Sequence, residues 1–303
     1  MKLLEPKRFI AFAVLSFAAF SCSEGEAPSD KKDDNGKKIK GEILDPNRSF
    51  NTTFDGKLFS VPSPIQTALL IRSTDVAYNE DLLNDNNKVN SYNTNTAKAL
   101  NLGVYGADLG YVTLYEQNAK ALRYINAVES LSNDLGISGA FDANFVKRFE
   151  ANSTNQDSML VILTDAFRKG DNFLKENERK NTSALILTGG WIESMFFAAN
   201  LYKKSDNELI LKRIGEQNQS LQTIIDILVN YNEDSKNDEI LAQLKSLNEL
   251  FKNVEIDYEY VEPTTDAEKK ITTLKSKMQL TISDELTEQL IDKINEIRSF
   301  IVA

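Results

Sequence analysis

The chain has 303 residues, a formal net charge of −10, a single cysteine and no histidine. Without histidine there is no Ser-His-Asp or Cys-His nucleophile, and no ordinary histidine-ligated zinc or haem site. The acidic balance repels phosphate backbones, which argues against nucleic acid as a partner.

Taken in chain order, Lys2, Lys7 and Arg8 precede an apolar run from Phe9 to Phe20, followed by Ser21 and Cys22. The run is too short to span a bilayer, which needs about 20 apolar residues. A basic start, a short apolar stretch and a small residue before a cut read as a secretory signal. With cysteine as the next residue, Ala19-Phe20-Ser21-Cys22 resembles a bacterial lipoprotein signal. The resemblance implies removal of residues 1–21, acylation of Cys22 and attachment to a membrane, with the outer membrane of the cell envelope as the expected location. Residues 23–42 hold almost nothing apolar, so residues 22–45 are expected to be a disordered tether. Glu24 and Glu26 are similar to acidic export tags of Bacteroidota lipoproteins, and are equally ordinary in a solvated linker.

Residues 46–303 are expected to form one helical domain. Asp55-Gly56 between apolar stretches predicts a small N-terminal hairpin, with Phe54, Leu58 and Val61 as a lid. Ser63-Pro64 reads as a helix cap and first position. Apolar residues at helical spacing then recur over 96–118, 119–135, 141–149, 157–175, 183–202, 207–229, 238–254 and 284–302. Short Asn/Asp/Ser/Gly connections suit antiparallel neighbours. The expectation is an all-α body, a single bundle of about seven or eight helices. An extended strap is expected near 255–263, where acidic and apolar residues alternate up to Pro263, and 264–283 reads as helix or strand. The tyrosines of the strap, Tyr258 and Tyr260, are expected either to pack down on the bundle or to form an exposed acidic–aromatic edge that recruits a partner. Asp157-Ser158-Met159 is similar to a short O-glycosylation acceptor of Bacteroidota, and Asp157 also suits a helix cap. The body as a whole resembles helical lipoproteins of that group.

The segment from Gly103 through Gly106 to Gly110 places three glycines in one helix, each costing about 1 kcal/mol against alanine. Close approach of a second backbone would offset that, and Gly189-Gly190 in the other all-apolar helix is the natural partner. The glycines are then either tight packing or the floor of a ligand pocket. Asp108 and Glu193 fall on these same two helices. They form either a pair that binds a cation or shares a proton, or a polar edge neutralised by Lys120, Arg123 or water. Trp191 is either a stacking platform or a core anchor. Two functions follow. One is a non-enzymatic envelope module that binds another envelope protein or a small molecule, or scaffolds an assembly, with no cofactor or metal. The other is a carboxylate-dependent hydrolase or lyase using Asp108 and Glu193.

Overall fold

A computed structural model describes residues 50–303 apart from 56, 62–63, 139–143, 267–270 and 274–276. The expected signal, Cys22 and the tether lie outside the described residues, as do the side chains of Leu58 and Val61. The chain is mostly helical, consistent with an all-α body. Strands β1 (Phe50–Phe54) and β2 (Lys57–Val61) pair antiparallel around Asp55, which adopts φ 48°. Helix α1 (Pro64–Ser73) follows, then two short 3-10 turns at 80–82 and 86–90.

Helix α2 (Asn95–Leu114) is the first of two central helices. The Thr94 hydroxyl caps it by accepting the Ala97 N–H at 3.0 Å. It ends at Glu116, whose φ of 59° turns the chain into α3 (Asn118–Asp134). Helices α4 (Phe145–Ala151) and α5 (Gln156–Glu176) come next. Asn155, rather than Asp157, is the side-chain cap of α5: its Oδ1 accepts from Ser158 N–H at 3.0 Å.

The second central helix, α6 (Lys180–Ser205), is apolar on every side, as a helix surrounded by others must be. It is long and apolar enough to cross a membrane by length and composition, but 78 % of its most apolar window is buried inside the body. Helices α7 (Glu208–Gly215), α8 (Asn218–Asn230), α9 (Asp238–Phe251) and α10 (Asp284–Ile301) complete the helical set.

The described residues hold ten α-helices where the sequence suggested seven or eight. The apolar stripe over 207–229 breaks in two because the chain bends after Gly215. A Cβ at Gly215 would fall 2.7 Å from the Leu280 methyls, so that position is held against another element.

The strap is a strand with a partner. Strand β3 (Glu255–Glu259) pairs antiparallel with β6 (Lys277–Thr281), and β4 (Thr264–Asp266) pairs with β5 (Ile271–Thr273), so the ambiguous 264–283 stretch contains strands. Ile256 and Leu280 pack on the body, but Tyr258 and Tyr260 are 67 % and 77 % exposed. The expectation of packed-down tyrosines therefore fails. Among the described residues of the arm, Ile256, Leu280 and Ile282 are the ones that pack on the body.

Helices α2 and α6 pack together along their glycines. A Cβ on Gly103 would sit 2.6 Å from Gly190 N, and one on Gly189 would sit 2.7 Å from the Leu100 carbonyl carbon. No side chain fits either gap, so glycine lets two backbones touch where any other residue would separate them.

Candidate functional site

Two features of the central helices bear on function. They lie on the same pair of helices and have opposite chemistry.

The first is a buried charge cluster. Asp108 of α2 and Glu193 of α6 are both fully buried. Arg298 of α10 donates to Glu193 twice, from Nε to Oε2 at 3.0 Å and from Nη2 to Oε1 at 3.1 Å. This is the bidentate fork that suits a planar guanidinium. The same guanidinium stacks 4.6 Å from the centre of the Phe196 ring and donates to the Leu82 carbonyl at 3.4 Å. Neither Lys120 nor Arg123 joins the cluster, which corrects the expected neutralising partners. Lys120 pairs with Glu80 at 2.5 Å, and Arg123 is exposed.

Asp108 has no cation of its own. Its Oδ2 accepts the Asn84 N–H at 3.3 Å, and its Oδ1 is buried with no donor facing it. Burial, with the neighbouring Glu193 charge, pushes the Asp108 carboxyl well above its ordinary range, although Arg298 opposes the shift. Burial also raises Glu193, against the pull of Arg298 and a hydrogen bond shared with Asp108. Two adjacent carboxylates facing one cation resolve by keeping one proton. Of the two, Asp108 is the one without a cation of its own, which favours its neutral form. Arg298 stays charged: burial lowers it, but Glu193 more than reverses the effect.

Polar groups around the pair are satisfied mutually. Asn84 Nδ2 donates to the Tyr92 hydroxyl at 3.0 Å and to Asn101 Oδ1 at 3.4 Å. Asn101 Nδ2 donates to the Ile301 carbonyl at 2.7 Å, and the Tyr124 hydroxyl to the Asn84 carbonyl at 3.0 Å. The cluster thereby fastens α10 and the 80–92 segment to α2 and α6.

The second feature is a partly open cavity of about 120 Å³ between α2, α5 and α6, with Thr52 of β1 and Pro64 and Ile65 of α1 also on its wall. Leu102, Gly103, Gly106, Phe167, Ile186 and Gly190 give it apolar walls with bare backbone between them. Gly106 makes room for the Phe167 ring, which a Cβ there would approach to 2.8 Å. Thr52, Asp171 and Ser183 also line it and supply polar groups. Thr52 Oγ1 donates to Asp171 Oδ2 at 2.9 Å, and the Ser183 hydroxyl donates to Asp171 Oδ1 at 2.5 Å. Lys175 pairs with Asp171 at 2.6 Å, donates to Thr52, and lies 4.0 Å from the centre of the Phe54 ring. Burial holds its ammonium below the usual lysine range, and Asp171 offsets part of that.

The sequence-derived pocket residues therefore separate. Gly103, Gly106 and Gly190 line the cavity; Gly110, Gly189, Trp191, Asp108 and Glu193 do not. Trp191 is a core anchor, 2 % exposed, with its Nε1 donating to Gln217 Oε1 at 3.2 Å. Sequence reasoning missed Arg298, Phe167, Asp171, Ser183 and Lys175. Asp171 and Lys175 carried one usable signal, an acid–base pair at i,i+4 on a helix. Among the described residues no cluster of three or more ligating side chains forms a metal site. Compared with protein-family models, curated proteins and solved structures, the chain matches none.

Proposed function

We propose that this chain is a lipid-anchored protein of the bacterial cell envelope, held by Cys22, whose helical body is a non-enzymatic binding module for a small apolar molecule. The anchor rests on the basic start, the apolar run and the small residue before Cys22. Each buried methylene contributes about 0.8 kcal/mol, so two or more acyl chains on one sulfur and one amine would hold firmly.

The binding reading rests on one observation. The cavity lies where three helices meet, and glycine backbone rather than side chains forms part of its wall. Its size is close to that of an engineered apolar cavity of ~150 Å³ that binds benzene. The hydrolase reading finds less support, because Glu193 is occupied by Arg298 and neither carboxylate lines the cavity.

Two measurements test the proposal. Intact mass of the mature protein should show loss of residues 1–21 and acyl chains on Cys22; an unmodified Cys22 or a retained Met1 refutes the anchor. Benzene should shift the NMR signals of Leu102 and Ile186 in a saturable way, and Leu187→Phe, which fills the cavity, should abolish the shift. No saturable shift refutes the binding module.

A further inference from the structure

The polar groups of the cavity carry more information than its walls. Resting on the binding reading above, we propose that the ligand is a neutral amphiphile, a short alkyl chain or single ring ending in a hydroxyl group, and that the site rejects the corresponding carboxylate. The inference comes from counting protons.

The Ser183 side chain is 3 % exposed and that of Thr52 4 %. Ser183 spends its hydroxyl proton on Asp171 Oδ1, and Thr52 spends its own on Asp171 Oδ2. The Lys175 ammonium is committed to Asp171 and to the Thr52 oxygen, with the Phe54 ring beside it. Thr164, the remaining hydroxyl on the wall, donates to the Leu160 carbonyl at 2.9 Å. Among the described lining side chains no hydroxyl proton is left to give a ligand, while the Ser183 oxygen and Asp171 Oδ1 retain lone pairs. A site of this kind accepts a donated hydrogen bond and returns none. It suits an O–H group. A carboxylate would bring a second negative charge to Asp171 without a donor to meet it, which is costly out of water.

The volume sets the length. Space close to that of the benzene-binding cavity holds a ring or roughly six carbons. The site discriminates by polarity rather than shape: an alcohol leaves no group unsatisfied, whereas a hydrocarbon of the same size leaves the Ser183 oxygen dry.

The test uses the full chain with Cys22→Ser, which prevents acylation, and three probes: 1-hexanol, hexanoate and benzene. Affinities come from calorimetry and from shifts at Leu102 and Ile186. The expectation is that hexanol binds about tenfold or more tightly than hexanoate at neutral pH, the scale of one lost hydrogen bond to a charged group. Ser183→Ala should remove most of hexanol's advantage over benzene. Should that variant fail to fold, the hexanol-to-hexanoate ratio in the parent chain decides alone. Equal affinities, or tighter hexanoate, overturn the proposal while leaving the binding module intact. If no probe binds, the binding module itself fails.

Discussion

Arg298 of α10 and Glu193 of the central helix α6 meet as a two-pronged ion pair in the interior, with the Asp108 carboxyl buried beside them. Such a group costs far more to break than to replace. Taking two charges out of water is expensive, and the pair recovers the cost only while both partners are present.

Arg298→Met should therefore destabilise the fold by about 3–5 kcal/mol, the range for stranding one member of a buried pair. The double substitution Arg298→Met with Glu193→Gln should cost less than Arg298→Met alone. Urea unfolding of the three proteins measures the coupling, and a double variant weaker than the single would contradict the ion-pair account.

Asp108 should give the stability a characteristic pH dependence. Its folded-state affinity for the proton is raised, so between its ordinary value near pH 4 and its folded value the native state binds more protons than the unfolded chain. Stability associated with this group is highest at low pH and falls as pH rises through that window. Asp108→Asn keeps a donor toward Glu193 and removes the titration. Its melting temperature relative to wild type should then improve as pH rises above about 4. A pH-independent difference would mean that Asp108 is ionised in the folded protein.

Gly103→Ala and Gly189→Ala should both destabilise by about 3 kcal/mol or more, because each new methyl pushes one backbone off another. Helix propensity alone predicts the opposite sign, a gain of about 1 kcal/mol. Chemical denaturation of either variant separates the two.

Tyr258→Ser and Tyr260→Ser should change stability by no more than about 0.5 kcal/mol, since both side chains stand in solvent. A larger loss in thermal melts would place the tyrosines against the body.

Helices were legible wherever a repeating apolar stripe met a cap. Thr94 and Pro64 mark their helix starts from sequence alone. The glycine contact was legible too, because three glycines in one helix demand a partner. Other features depended on long-range geometry. Arg298 lies 105 positions from Glu193, and nothing local in either helix announces the match. Gly215 reads as an ordinary helical glycine until Leu280 arrives from the arm. The cavity was half visible: its glycine floor could be inferred, but its polar lining comes from β1, α5 and α6, whose meeting no periodicity encodes. Tyr258 and Tyr260 suited either a packed or an exposed strap by composition, and are exposed on an arm that packs on the body through Ile256, Leu280 and Ile282.

The placement of Arg298 also sets an order on biosynthesis. Both acidic partners, at positions 108 and 193, leave the ribosome long before their cation does. Until residue 298 is clear, a nascent chain that closed its interior would bury Glu193 without its cation, so the compact state is penalised up to that point.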